Sequence, residues 1–181
     1  MHVIIVYGSI EGQTRKIART MAATVQSAGH QATVFDAADL ADLDLALADA
    51  VIVAAPVHAG SFPQPLVHWL AGNCGDLNGM PTAFVSVSLA AASAFPEELK
   101  EIEALAAGLS EKTGWVPERM HHAAGALRYT KYDFFKRLLM RHIAKKEGGP
   151  LDVTADHEFT DWTALAEFVS GFLAKAAQET V

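Results

Sequence analysis

The segment HVIIVYGSIEGQT, residues 2–14, decides the fold. Its first part, HVIIVY at 2–7, is mostly apolar and rich in β-branched side chains, which predicts a buried strand. Residues 13–28 repeat apolar side chains three and four positions apart, which predicts an amphipathic helix. The turn between them contains glycines and hydroxyl side chains. Because backbone N–H groups point outward at a helix N-terminus, such a turn is suited to hold an anion.

The alternation of strand and helix continues along the chain. Further strands are predicted at 32–37, 50–56, 82–88 and 121–127, and further helices at 62–72, 96–113 and 161–178. Apolar strands separated by amphipathic helices indicate a parallel sheet covered on both faces. We therefore predict an α/β fold, one doubly wound domain over residues 1–181, with a five-stranded parallel sheet in the order 2-1-3-4-5. Ligands of such sheets bind outside the carboxyl ends of the strands.

The segment 126–158 exceeds a minimal domain of this kind. It contains a basic, aromatic stretch that predicts an extra helix, and the sequence Gly-Gly-Pro at 148–150 predicts where that helix stops. We expect an inserted basic helix and loop between the fifth strand and the last helix.

Composition excludes several classes of protein. With 51% apolar residues, 19% charged residues and a net charge of -7, the chain is neither disordered nor suited to general nucleic-acid binding. Its single cysteine, Cys74, excludes an internal disulfide and a cysteine-based metal cluster, and we predict no metal site. The sequence lacks a long apolar window and a basic N-terminal region, so we expect no membrane-spanning helix, no signal peptide and a cytoplasmic location. It is compatible with a homo-oligomer.

The first loop lacks the signatures of other anion-binding proteins. Gly12 is followed by Gln13, so the Walker A lysine is absent, and no GxGxxG pattern occurs. A phosphatase of this topology would need a cysteine in the loop, and a receiver domain would need an acid where the third strand ends in Ala55. Two interpretations remain: a phosphate site built from backbone N–H groups and the hydroxyls of Ser9 and Thr14, or an ordinary turn in which one of these hydroxyls caps the helix.

The loop GSIEGQT, residues 8–14, resembles the flavodoxin phosphate loop G-S-x-T-G-N-T. This resemblance implies FMN as the cofactor, with its phosphate held by Ser9, Ile10, Glu11, Gly12, Gln13 and Thr14. Glu11 departs from the pattern, and we expect its side chain to point to solvent. The flavin ring would lie between the loops after the third and fourth strands, against Pro56, Val57, His58, Ala59, Gly60, Ser88, Leu89, Ala90 and Ala91.

These two loops lack the Trp and Tyr with which flavodoxins commonly cover the ring. His58 and Phe62 are the nearest candidates for ring contact, and a solvated loop histidine is the alternative for His58. A ring face that is open to a second molecule suits an enzyme better than a pure electron carrier. Trp69, in the helix predicted at 62–72, is interpreted as a core residue.

A second resemblance covers almost the whole chain. The segments AGALRY (124–129), GG (148–149), TDW (160–162) and EGQTR (11–15) resemble the bacterial flavodoxin-like protoporphyrinogen IX dehydrogenases. This resemblance implies an FMN-dependent enzyme of haem biosynthesis that oxidises protoporphyrinogen IX and passes electrons to a membrane quinone. Removing six electrons with a two-electron cofactor takes three cycles. The segment 90–114 departs from the family, because alanines and acids replace a basic, proline-containing loop.

Other functions remain open. The same cofactor loop is compatible with a flavodoxin-type electron carrier that serves a protein partner, or with an FMN-dependent quinone reductase. A structural relative that binds no flavin is a further alternative. We assign no catalytic acid or base, since no residue pair in the sequence is distinctive enough for that role.

Basic residues concentrate in the inserted segment. Seven of the fourteen lie between 128 and 146, beside apolar side chains at helical spacing. Such a helix on an acidic protein predicts peripheral contact with an anionic membrane surface. The alternative is a helix packed on its own domain, with a solvated basic face that could receive the propionates of a porphyrin. The candidate substrate or membrane residues are Arg128, Tyr129, Lys131, Lys136, Arg137 and Arg141.

Overall fold

A single parallel sheet forms the centre of the molecule. The structure, a computed structural model, describes residues 1–93, 95–127 and 157–179. Its sheet has the order β2-β1-β3-β4-β5, which confirms the predicted order 2-1-3-4-5. Strand bounds are β1 His2–Tyr7, β2 Gln31–Asp36, β3 Ala50–Pro56, β4 Thr82–Ser88 and β5 Arg119–Ala124.

Helices cover both faces of this sheet. In the described part of the chain they are α1 Gln13–Ser27, α2 Gln64–Leu77, α3 Pro96–Thr113 and α4 Trp162–Glu179, with short 3-10 turns at Leu45–Leu47 and Ala90–Ala92. Helices α1 and α4 pack on one face, where Ile17, Met21 and Phe172 are fully buried. Helices α2 and α3 pack on the other face, around Leu70 and Phe84. The central strands β1, β3 and β4 therefore alternate their side chains between two apolar cores.

Element boundaries differ from the predictions by more than two residues at two places. Helix α2 runs from Gln64 to Leu77 rather than over 62–72. Its start is set by Pro63, because the residue before a proline, here Phe62, rarely adopts helical backbone angles. Pro65 is tolerated because it lies in the first turn of the helix. Its end lies beyond the glycines at 72 and 75, both of which face open space and stay helical.

The fifth strand is the second difference, since it ends at Ala124 and not at 127. After Gly125 the chain leaves the parallel sheet, and Ala126–Leu127 (β6) pairs antiparallel with His157–Glu158 (β7). The two ends of the predicted insertion therefore meet in a short ribbon beside the end of β5. The predicted basic helix itself lies outside the described residues.

Candidate functional site

Three loops converge at the carboxyl edge of the sheet. They follow β1, β3 and β4, and parallel strands bring their carboxyl ends to one edge. Backbone hydrogen bonds tie the loops together: Gly8 N–H donates to Ala54 O at 3.0 Å and Val57 N–H to Val87 O at 2.8 Å. The structure thus brings the predicted cofactor residues at 9–14, 56–60 and 88–91 to the same edge.

The first loop ends in a left-handed residue. Gly12 has φ 94° and precedes α1 without any side-chain cap, so neither Ser9 nor Thr14 caps the helix. Instead, the Ser9 hydroxyl accepts a hydrogen bond from Gly12 N–H at 3.0 Å and closes the turn. A side chain at a residue with this φ would be strained, which is the physical reason for glycine here. The N–H groups of the first turn of α1 consequently point toward the loop.

Thr14 supplies the clearest test of whether an anion fits this loop. Its side chain is only 2% exposed, and its hydroxyl forms no hydrogen bond with another described residue. A hydroxyl without a partner among the described residues, beside the N-terminal N–H groups of a helix, is a donor set of the kind that a phosphate completes. The loop residues therefore fit the phosphate of a flavin nucleotide. Ile10 is 55% exposed, and Glu11 is half-buried.

The basic side chains of the first turn of α1 have partners elsewhere. Arg15 Nε donates to the Tyr7 hydroxyl at 2.9 Å, and its guanidinium lies 3.6 Å from Asp36. Lys16 Nζ lies 2.6 Å from Glu158 Oε2. These two cations are thus engaged with neighbours other than the loop, in agreement with a phosphate site built from N–H groups and hydroxyls.

The loop after β3 is a tight hairpin turn. His58 and Ser61 exchange backbone hydrogen bonds of 2.9 and 3.0 Å, and Ala59 and Gly60 between them have φ 47° and 71°. Positive φ at both central residues is the mark of a type I′ turn. His58 is half-buried. Phe62, a candidate for ring contact from the sequence, is 6% exposed and packs edge-on against Phe84 at 5.4 Å, which makes it a core residue.

The loop after β4 begins with a short 3-10 turn, Ala90–Ala92. Ala91 N–H donates to the Ser88 hydroxyl at 3.2 Å, and Ser93 N–H donates to Ala90 O at 2.9 Å. The same strand end is joined to β5, because Gly125 N–H donates to Ser88 O at 3.0 Å. Residues 88–91 are therefore held in place by both their own turn and the neighbouring strand.

Two adjacent histidines of β5, His121 and His122, lie on opposite faces of the sheet. From the sequence they were predicted only to be part of a strand. His122 Nδ1 is 2.6 Å from the fully buried Ser86 hydroxyl. His121 stacks on Phe168 of α4 at 5.1 Å. Burial lowers the pKa of both imidazoles below the usual 6.5, and for His121 the neighbouring His122 lowers the pKa further. Both pKa shifts favour the uncharged imidazoles.

A groove of about 560 Å³ lies at the opposite, amino edge of the sheet. It runs between the C-terminal end of α2 and residues 43–46, and Trp69 and Met80 form part of its wall. Trp69 therefore packs against the α2–α3 core and borders this groove, in agreement with its interpretation as a core residue. The groove is separated from the three loops by the length of the sheet.

Several predictions concern residues that the structure does not describe. The candidate substrate or membrane residues Arg128, Tyr129, Lys131, Lys136, Arg137 and Arg141 all fall between 128 and 156, outside the described ranges. Within those ranges, no cluster of His, Cys, Asp and Glu side chains is arranged to hold a metal ion. Nor does any helix described there have the length and hydropathy needed to cross a membrane.

Comparison with known proteins agrees with this architecture. The family described as Flavodoxin domain matches residues 4–154. Protoporphyrinogen IX dehydrogenase (quinone) of Escherichia coli is 30% identical over 169 residues, covering 93% of this chain and 92% of the relative. The protein of the same name from Leishmania major is 30% identical over 174 residues, covering 94% of this chain and 74% of the relative.

Solved structures share the fold. A short-chain flavodoxin associated with a bacterial microcompartment has a TM-score of 0.59 and 15% identity, covering 97% of this chain and 99% of that one. A flavodoxin from the domain Archaea has a TM-score of 0.56 and 14% identity, covering 98% and 99%. Together with the family match and the curated relatives, these findings show that the chain belongs to the flavodoxin-like protoporphyrinogen IX dehydrogenase family and is a flavoprotein oxidoreductase with FMN as its cofactor.

Proposed function

We propose that this chain oxidises protoporphyrinogen IX to protoporphyrin IX in haem biosynthesis and passes the electrons to a membrane quinone. The observation that supports this proposal is the 30% identity, over 93% of the chain, to a curated relative of that name. The balanced reaction releases six electrons and six protons from the porphyrinogen, and three quinones take them up. Bound FMN supplies the two-electron chemistry, and the protein supplies binding and orientation.

We assign the FMN phosphate to the first loop. Its donors are the unbonded hydroxyl of Thr14 and the backbone N–H groups of residues 10, 11, 13 and 14, whereas Gly12 N–H is bonded to the Ser9 hydroxyl. The helix dipole of α1 adds to the attraction. The flavin ring is assigned to the space between the His58–Ser61 turn and the Ser88–Ala91 segment. Both segments are closed by their own hydrogen bonds, which supports this assignment, since a cofactor site is more effective when its contacts are already formed.

An open ring face supports an enzyme over an electron carrier. Residues 56–62 and 88–95 contain no Trp or Tyr. Of their two phenylalanines, Phe62 is buried in the core, and Phe95 lies directly before α3, beyond the predicted ring contacts at 88–91. The side chains left near the predicted ring position are small or short, apart from His58 and Leu89. A planar tetrapyrrole could therefore approach the ring for direct electron transfer without displacing a Trp or Tyr cover.

We further propose a cytoplasmic protein that is one flavodoxin-like domain over 1–181, with 126–158 as its insertion. The ribbon of β6 and β7 supports this, because both ends of the insertion emerge beside the same strand end. The basic residues between 128 and 146 are proposed to contact the anionic membrane surface where the quinone resides. Flotation with anionic and neutral vesicles tests this: binding to anionic vesicles at low salt is expected, and no binding contradicts it.

The function itself is tested by anaerobic mixing of FMN-loaded protein with protoporphyrinogen IX. We expect bleaching of the flavin absorbance together with growth of porphyrin fluorescence, and return of the flavin absorbance when a quinone is added. A flavin that stays oxidised in the presence of protoporphyrinogen contradicts the proposal. If such a protein still exchanges electrons with a reductase, it is a flavodoxin-type carrier, and if it turns over small quinones with a reductant, it is a quinone reductase.

A further inference from the structure

The motif Thr-Asp-Trp at 160–162 has no part in the function proposed so far. In the structure its threonine lies against the start of α1, next to the phosphate loop. We propose that Gln13 and Thr160 form a positioning pair, which holds the phosphate loop in its FMN-binding conformation and couples that loop to the paired ends of the inserted segment. This inference rests on FMN binding at residues 9–14, as proposed above.

The hydroxyl of Thr160 takes part in two hydrogen bonds, of which the first joins the pair and the second joins the pair to β5. Gln13 Nε2 donates to Thr160 Oγ1 at 2.9 Å, and Thr160 Oγ1 donates to Ala124 O at 2.6 Å. Thr160 is 9% exposed, so its hydroxyl is largely shielded from water and loss of either bond would leave a shielded polar group unsatisfied. The contact joins residues that are 147 positions apart in sequence. It ties the first residue of α1 to the carboxyl end of β5.

The same contact explains a departure from the flavodoxin loop pattern. Gln13 stands where that pattern has asparagine, and its side-chain amide is directed to Thr160 rather than into the loop. Only the backbone N–H of Gln13 is thus left for a phosphate. Since Gln13 directly follows Gly12 and opens α1, fixing its side chain fixes the orientation of the first-turn N–H groups.

A second link runs parallel to the first, one helical turn outward. Lys16 Nζ lies 2.6 Å from Glu158 Oε2 and 4.9 Å from the centre of the Trp162 ring. The hydrogen bond from Lys16 is the main reason that the pKa of Glu158 is lowered. Glu158 belongs to β7, which pairs with Ala126 of β6. Helix α1 therefore holds the ribbon at the base of the insertion through residues on both sides of Phe159.

The ribbon is in turn connected to the proposed ring loop. Phe159 N–H donates to Gly125 O at 3.1 Å, and Gly125 N–H donates to Ser88 O at 3.0 Å. A continuous set of hydrogen bonds thus joins Gln13 in the phosphate loop, Thr160, the end of β5 and Ser88. Binding of the FMN phosphate at one end of this set is expected to stabilise the ribbon at the other, and the coupling is reciprocal.

The pair is tested with Thr160→Val, which keeps the shape and removes the hydroxyl, and with Thr160→Ser, which retains the hydroxyl. The matched control is Thr113→Val, a hydroxyl of similar burial (4% exposed) that bonds Leu109 O at the opposite edge. Affinity for FMN and for riboflavin, which lacks the phosphate, is measured by quenching of flavin fluorescence. We expect Thr160→Val to weaken FMN binding about five- to tenfold, with riboflavin binding unchanged, and Thr160→Ser and Thr113→Val to bind FMN like the native chain.

The coupling is measured separately by hydrogen exchange at the Phe159 amide. FMN should slow exchange there in the native chain but not in Thr160→Val, and riboflavin should have no such effect in either. Native FMN affinity in Thr160→Val, equal weakening of FMN and riboflavin, or FMN-dependent protection that survives the substitution would each overturn the proposal. A native chain that binds no FMN would contradict the proposed cofactor site instead, so the two failures are distinguishable.

Discussion

The two edges of the sheet differ in how many of their polar groups have partners within the protein. At the amino edge, Asn78 donates to Gly114 O at 2.8 Å and accepts from Val116 N–H at 3.0 Å, and the buried Trp115 donates to Thr82 at 3.2 Å. At the carboxyl edge, Ser9 and Ser88 close individual turns, but the Thr14 hydroxyl and the first-turn N–H groups of α1 have no such partners among the described residues. The loops of the amino edge are therefore tied to one another by side chains, whereas the carboxyl edge keeps a set of hydrogen-bonding groups available to a ligand.

The backbone shows the same difference. The carboxyl edge contains Ala59, the non-glycine residue with positive φ among those described, within the His58–Ser61 turn. Strained backbone and unsatisfied donors each reduce stability, and they persist where a ligand or a function offsets them. The interactions that stabilise the fold and the groups available to a ligand are thus concentrated at opposite ends of the strands. Substitutions at the two edges should therefore affect different measurements.

The largest effect on stability is expected for Trp115→Phe at the amino edge. Trp115 is fully buried, so this change leaves a small cavity and deprives Thr82 of its donor. The free energy of unfolding of the FMN-free protein should fall by about 1–3 kcal/mol, as measured by urea denaturation. The affinity of the folded protein for FMN should stay the same. A parallel loss of FMN affinity would show that the two edges are not independent.

Two glycines with similar φ angles allow the effect of backbone strain on stability to be separated from its effect on FMN binding. Gly12 has φ 94° in the phosphate loop, and Gly29 has φ 82° after α1, where an added Cβ meets nothing within 4 Å. Replacing either by alanine should destabilise the FMN-free protein by about 1–2 kcal/mol, because left-handed backbone is strained for alanine.

Only Gly12→Ala should also weaken FMN binding, by about tenfold or more, since relief of its strain reorients the first-turn N–H groups. Gly29→Ala is the control for strain alone, and titration with FMN followed by fluorescence measures both. Equal FMN affinity in the two variants would remove the first loop from the cofactor site.

A smaller effect is expected from pH. The pKa values of His121 and His122 are lowered by burial, so the unfolded chain takes up protons before the folded chain as pH falls below about 6.5. Stability should be fully retained above that pH and should decline as pH is lowered below it, in a scan that ends above the range in which carboxyl groups titrate. Asp161 raises the pKa of His121 and Glu103 raises that of His122, both by less than burial lowers them. The guanidinium of Arg119 lies over the same Phe168 ring on which His121 stacks.

Thermal denaturation across this pH range tests the effect. His121→Phe keeps an aromatic ring against Phe168 and removes one titrating group, so the decline in melting temperature should be shallower in that variant. A decline of unchanged steepness would assign the pH dependence to other groups. Glu158 contributes only at lower pH, because a carboxyl with a lowered pKa loses its stabilising charge below the range used here.

The smallest effect is expected for Ala59→Gly in the turn after β3. Glycine relieves the left-handed strain at φ 47° but has more freedom to lose on folding, so the two contributions nearly cancel. The free energy of unfolding should change by no more than about 0.5 kcal/mol, and FMN affinity should be retained. Loss of FMN binding on this change would mean that the Ala59 methyl group itself contacts the cofactor.

The central sheet could be predicted because its signals are local. Continuous apolar runs gave β1, β3 and β4 with their observed bounds, and the first loop was identified by its glycines and hydroxyls. The turn at His58–Ser61 was not predicted. Such turns are usually recognised in a sequence by Asn-Gly at the two central positions, and here alanine occupies the first of them.

Contacts between residues that are far apart in the chain could not be predicted from the sequence either. The bond between Gln13 and Thr160 depends on the fold bringing α1 and the end of β5 together, and no local pattern marks either residue for the other. The early end of β5 has the same origin. Ala126 and Leu127 look like a continuation of the strand, but pairing with His157–Glu158 directs them into a separate ribbon.

FMN is expected to bind at the carboxyl edge of the sheet, across the three loops. This binding site is tested most directly by titrating nitrogen-15-labelled protein with FMN and following backbone amide shifts. We expect large changes in the amide chemical shifts of residues 9–14, 57–60 and 88–91. No change is expected over 43–48 and 76–80, beside the groove at the amino edge. Shifts concentrated at that groove, with the three loops unchanged, would contradict it.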